Sequence, residues 1–97
     1  MQSLTCENWK DHACQGTVIV DFAATWCGPC RILKPILEQI SKESSAKVCV
    51  VDVDESPELS DQYAINALPT IIIFKDGVET KRIVGLSTKE KILESVN

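Results

Sequence analysis

The sequence predicts an α/β domain in which a central mixed β-sheet is flanked by helices on both faces. Three observations predict it. Strand-like and helix-like apolar periods alternate along the chain, and the connections are long enough for parallel crossovers. Residues 30–42 hold one apolar helical stripe. Near the C-terminus two β-rich runs meet at Asp76-Gly77, which marks an antiparallel hairpin.

Taken in order, Thr5 to Ala13 reads as an opening helix, and Thr17 to Ala23 (TVIVDFA) as a buried strand whose start is punctuated by Gly16. From Cys30 to Lys42 the residues Ile32, Leu33, Ile36, Leu37 and Ile40 recur at intervals of three and four, which defines an amphipathic helix. Pro35 removes one backbone hydrogen bond there, and the continuing period predicts a kink rather than a stop. Lys47 to Val53 reads as a second buried strand. Ser56-Pro57 then starts a short helix to Tyr63, with Ser56 as cap and Pro57 in the first position. Thr70 to Lys75 and Val78 to Val84 form the hairpin. Ser87-Thr88-Lys89-Glu90 has capping-box spacing and leads into a terminal helix carrying Ile92, Leu93 and Val96.

A chain of 97 residues without repeats or linker-like tracts is expected to be one domain spanning residues 1–97. Its content of 44% hydrophobic and 25% charged residues argues against disorder. A net charge of -4 offers no basic patch for nucleic acid or an anionic membrane. No apolar run approaches the roughly 18 residues of a membrane span, and the first residues lack the apolar core of a signal peptide. A cytoplasmic protein is the expectation, with a mature organellar one, such as in the plastid stroma, as the alternative.

Five cysteines at uneven spacing do not resemble a disulfide framework and fit a reducing compartment. Cys49, within Val48 to Val51, reads as a small core hydrophobe. Cys6 and Cys14 are separate thiols without an assigned role. The chemistry lies in Cys27-Gly28-Pro29-Cys30, at the start of the amphipathic helix. Two cysteines so spaced can close a disulfide or stand open as a dithiol. The free N–H groups and dipole of a helix N-terminus favour thiolate at the first sulfur, which makes Cys27 the expected nucleophile. Cys30, one turn deeper and expected to be less exposed, resolves the mixed disulfide. Gly28 and Pro29 tune the redox poise. Half of a zinc site has the same pattern, but Cys6, His12, Cys14 and Cys49 supply no matching second pair. A purely structural disulfide is the other reading, although so short a loop constrains the unfolded chain little. Asp21 interrupts an apolar strand. A buried carboxyl there would have a raised pKa and could accept and return protons, whereas an exposed edge-strand Asp would do neither.

The segment Val20-Asp21-Phe22-Ala23-Ala24-Thr25-Trp26-Cys27-Gly28-Pro29-Cys30 resembles the active-site segment of the thioredoxin family. Ala67-Leu68-Pro69-Thr70 is similar to the family's proline loop, Phe74-Lys75-Asp76-Gly77 to its hairpin, and Val84-Gly85-Leu86 to its glycine near the active site. The resemblance implies a thioredoxin fold and a Cys27/Cys30 dithiol–disulfide cycle that reduces target proteins and serves cell redox homeostasis. It implies a cis Leu68-Pro69 bond beside the cysteines, proton transfer to and from Cys30 by Asp21, and target contact through Trp26, Gly28, Pro29, Leu68, Pro69 and Gly85. It implies no cofactor or metal, a monomer, disulfide-containing targets, and a thioredoxin reductase, NADPH- or ferredoxin-dependent, as electron donor.

The chain departs from the family at three places. Many members carry an aromatic residue where Ala23 stands and Lys or Glu where Val50 stands, and the N-terminus is short, so the first strand is expected to be short or absent. Asp21 then depends on desolvation for its pKa, and packing beneath the active site loosens. Two other functional readings share the fold: a disulfide oxidase or isomerase, and a binding module that uses the surface around Trp26, Pro69 and Gly85. The Gly28-Pro29 dipeptide favours the reducing type.

Overall fold

The computed structural model describes residues 1–96. Strand β2 (Thr17–Ala23) is the spine of the fold: five of its seven residues are buried, because sheet neighbours flank it on both edges and helices cover both faces. On one edge it pairs parallel with β3 (Lys47–Asp52), and β3 pairs parallel with β1 (Gln2–Ser3). On the other edge it pairs antiparallel with β4 (Thr70–Lys75), which pairs antiparallel with β5 (Val78–Val84). The sheet order is β1-β3-β2-β4-β5. The first strand is thus short but present, extended by the Leu4 amide donating to the Val50 carbonyl at 2.8 Å.

Side chains of a strand alternate between faces, and the two cores follow that parity. Val18, Val20 and Phe22 of β2 join Cys49, Val51, Ile72 and Phe74 beneath α1 (Trp9–Ala13) and α3 (Pro57–Gln62). An aromatic group of Trp9, Tyr63 and Phe74, with ring centroids 5.3–5.4 Å apart, closes this side. On the opposite face Ile19, Val48, Ile71 and Ile73 pack against Leu33, Leu37 and Ile40 of α2 (Gly28–Glu43) and Ile92 of α4 (Lys89–Val96). A Lys89–Glu43 ion pair joins α4 to the end of α2.

The hairpin forms as the turn residues require: Asp76 and Gly77 have φ of 50° and 86°. Asp76 is also tied to Gly16, whose amide donates to its carboxylate at 2.8 Å. The α2 helix runs through Pro35 without ending.

Four local expectations are corrected. The opening helix begins at Trp9 rather than Thr5, because the Asn8 side chain accepts from the Thr5 amide and donates to the Ser3 carbonyl, which organises a turn instead. Ser56 occupies the cap position of α3 but makes no side-chain cap bond. The cap of α4 is Thr88, whose hydroxyl accepts from the Lys91 amide at 3.2 Å, while the buried Ser87 hydroxyl has no partner among the described residues. Ile32 is 58% exposed, since the helix is rotated onto Leu33, Leu37 and Ile40.

Candidate active site

The turn between β2 and α2 presents the cysteine pair. Cys27 is the N-cap of α2, with Gly28 and Pro29 in its first turn, where the proline's missing N–H costs nothing. The Cys27 sulfur accepts a hydrogen bond from the Cys30 amide at 3.2 Å, taking the place of a capping oxygen. The two residues are joined as a disulfide with Cα atoms 5.3 Å apart. They are equally buried, 5% and 6% exposed, so Cys30 is not the more hidden of the two in this oxidised form. Both cysteines cluster with Ala24, and Ala23, Val53 and Leu68 pack against this cluster.

The surrounding loops are held by specific bonds. Trp26 is 67% exposed, and its indole N–H donates to the Asp54 carboxylate at 2.8 Å, so the ring lies on the surface rather than in the core. Asp52, at the end of β3, accepts from the Asp54 and Glu55 amides at 2.9 and 3.3 Å and shapes the loop that presents Asp54. Arg31 donates from its guanidinium to the Thr25 carbonyl at 2.9 and 3.2 Å, clamping the turn before Trp26. Sequence reasoning assigned none of these three a role. The signal available was Asp52-x-Asp54 at a strand end, a pattern that favours Asx turns.

Facing the pair, the Leu68-Pro69 bond is cis and Pro69 is buried. The Pro69 carbonyl accepts from the Gly85 amide at 2.8 Å, and Gly85 has φ of +87°, a backbone state that glycine adopts without strain. An open groove beside Cys27 is lined by Trp26, Gly28, Pro29, Ile65, Ala67 and Leu68. The structure thus brings Trp26, Cys27, Gly28, Pro29 and Leu68 to one surface, with Pro69 next in sequence and Gly85 bonded behind it.

Asp21 lies on the other side. By strand parity it faces α2, 3% exposed on the central strand, so the exposed edge-strand alternative is excluded. Burial raises its pKa to about 7. Its Oδ1 has no hydrogen-bond partner among the described residues. A separate hollow is lined by both Asp21 and Cys30, together with Ala23 and Val50. Of the remaining thiols, Cys49 is buried in the core, Cys14 is half-buried, and Cys6 is exposed with its sulfur 3.6 Å from the Glu58 carboxylate.

No helix among the described residues is long and apolar enough to cross a membrane. The thioredoxin family model matches residues 1–97. A thioredoxin of Chlamydia trachomatis is 40% identical over 98 residues, covering 100% of this chain and 96% of that protein. One of Listeria monocytogenes is 37% identical over 99 residues, again covering 100% and 96%. Among solved structures, a mutant thioredoxin from Halobacterium salinarum superposes with a TM-score of 0.92 at 30% identity, covering 98% of this chain and 86% of that one. With a closely spaced cysteine pair at disulfide distance, the chain belongs to the thioredoxin family and is a thiol–disulfide oxidoreductase that reduces protein disulfides and takes its electrons from a reductase.

Proposed function

We propose that Cys27 is the attacking thiol, Cys30 the resolving thiol and Asp21 the proton carrier of this reduction. The observation that carries the reading is the position of the pair, with Cys27 at the N-cap and Cys30 in the first turn of α2. In the reduced protein the Cys27 thiolate, favoured by the helix N-terminus, attacks one sulfur of a target disulfide. A mixed disulfide forms and the first target sulfur leaves as a thiolate. Cys30 passes its proton toward Asp21, and its thiolate attacks the Cys27 sulfur, releasing the second target sulfur. The Cys27–Cys30 bond closes, two electrons have moved to the target, and the protons leave on the target thiols. Asp21 suits this task because its pKa of about 7 lets it take up and return a proton near neutrality. The hollow shared with Cys30 is large enough for a bridging water.

The target binds as an extended segment across Trp26, Gly28, Pro29, Leu68, Pro69 and Gly85. The whole site lies on one chain, which acts as a monomer in the cytoplasm. Its electrons come from a thioredoxin reductase, NADPH- or ferredoxin-dependent.

Equilibration in defined thiol buffers, followed by alkylation and mass analysis, gives the potential of the pair. A value near about -270 mV supports the reductase; one near about -180 to -120 mV replaces it with an isomerase or oxidant. Cys30→Ser should trap the target on Cys27 as a stable mixed disulfide. An adduct trapped on the Cys30→Ser variant that survives further replacement of Cys27 would overturn the assignment of the attacking thiol.

A further inference from the structure

Trp26 is held at both its indole and its backbone by charged side chains from two different elements. The carboxylate of Asp54, in the loop between β3 and α3, accepts from the indole N–H at 2.8 Å. Arg31, in the first turn of α2, secures the backbone: Nε and Nη2 of its guanidinium donate at 3.2 and 2.9 Å to the Thr25 carbonyl, which belongs to the same planar peptide unit as the Trp26 amide. Fixing that plane fixes the direction in which Trp26 leaves the backbone. Helical side chains lean toward the N-terminus, so an arginine in the first turn reaches back over the end of α2 to a carbonyl six residues earlier. A cation at this end opposes the helix dipole, so Arg31 is not placed there to support the helix. The turn itself is closed by the Cys27 amide donating to the Ala24 carbonyl at 3.2 Å. Trp26 is 67% exposed, so packing does little to fix it.

We propose that Arg31 is a positioning residue for target reduction that acts through Trp26: with Asp54 it holds the indole, before a target arrives, in the orientation the target meets. The inference rests on the reading above in which Trp26 touches the target. An exposed aromatic side chain loses conformational entropy when a partner orders it, and one already ordered loses less. Two N–H groups of one planar guanidinium fix a carbonyl more firmly than a single donor on a flexible stem. The guanidinium bonds the peptide unit ahead of Trp26 rather than a sulfur, so its effect belongs to target contact and not to the nucleophile.

The test introduces Arg31→Ala into the full chain and into its Trp26→Ala variant, and mixes the reduced proteins with a peptide disulfide. In the parent background Arg31→Ala should lower the second-order rate constant of peptide reduction about fivefold, the equivalent of about one hydrogen bond. In the Trp26→Ala background the same change should alter it by less than about twofold, because the group through which Arg31 acts is gone. Alkylation of Cys27 by iodoacetamide, which needs no target surface, should fall far less than peptide reduction. Arg31→Lys keeps the charge without the two-donor fork and should recover only part of the rate; it also serves if Arg31→Ala does not fold. No loss of peptide reduction, an equal loss in both backgrounds, an equal fall in alkylation, or full recovery in Arg31→Lys overturns the proposal. If Trp26→Ala alone leaves peptide reduction at the parental rate, the target-contact reading fails and this inference with it. If Trp26→Ala slows reduction and Arg31→Ala does not, this inference alone fails.

Discussion

Asp21→Asn should change how stability depends on pH more than it changes stability at any acidic pH. Asp21 is 3% exposed on the central strand, without a hydrogen bond to its Oδ1 among the described residues, and burial alone raises its pKa from 3.8 to about 7. Below about pH 4 the carboxyl is protonated in both folded and unfolded chains and contributes no pH dependence. Between about 4 and 7 the unfolded chain has released the proton and the folded chain has kept it. Stability therefore falls as pH rises, by up to about 1.4 kcal/mol per unit. Above about 7 both states are ionised, and the accumulated penalty levels off near 4 kcal/mol. Asn carries no such charge. Its unpaired amide costs about 1–3 kcal/mol at every pH and so shifts the curve without tilting it. Other carboxylates titrate in the same window, so the informative quantity is the difference between the two proteins. Urea unfolding of the oxidised proteins from pH 4 to 8 measures it. The variant should gain on the parent by several kcal/mol across the window. Parallel curves, differing in slope by less than about 0.3 kcal/mol per unit, would refute a buried and unpaired Asp21.

Two further substitutions test the packing and the caps. Leu37→Ala empties a fully buried site between α2 and the Ile19, Ile71 and Ile73 face of the sheet, and should cost about 2–5 kcal/mol in chemical denaturation; a loss below about 1 kcal/mol would contradict that packing. Thr88→Ala should cost about 1 kcal/mol by removing the α4 cap, whereas Ser87→Ala should be neutral or stabilising, because the Ser87 hydroxyl is buried without a partner among the described residues. The reverse ranking would restore the capping box that the sequence suggests.

What the sequence discloses depends on how local the deciding interaction is. Strand β2 and the hairpin are legible because β-branched runs and the Asp76-Gly77 turn act over a few residues. The stripe of α2 is legible too, but not its rotation: Ile32 fits the period and is excluded only when the helix settles on Leu33, Leu37 and Ile40. The start of α1 depends on one Asn8 side chain choosing between two backbone groups, a competition that propensity does not resolve. At the site, the cysteine pair is read from spacing alone. The bond from Trp26 to Asp54 spans 28 residues, and nothing in either neighbourhood announces it. The burial of Asp21 follows from the apolar residues around it. The hollow beside it does not, since it exists only where Ala23 and Val50 meet across two strands.

The two sides of the disulfide follow from one strand parity. Even-numbered residues of β2 supply the core beneath α1 and α3, and the odd-numbered ones face α2. A one-residue slip of β2 against β3 would exchange the sets. Asp21 would then enter the side closed by Trp9, Tyr63 and Phe74, while Phe22 would be driven under α2. Both consequences are costly, so the same apolar pattern that fixes the register also fixes which cysteine shares a hollow with the acid. Cys30, in the first turn of α2, shares the acid's hollow, and Cys27, at the cap, lines the groove with Trp26 and Leu68. In the proposed cycle a target that approaches along the groove meets Cys27, and the proton of Cys30 departs from the opposite side. Neither path obstructs the other.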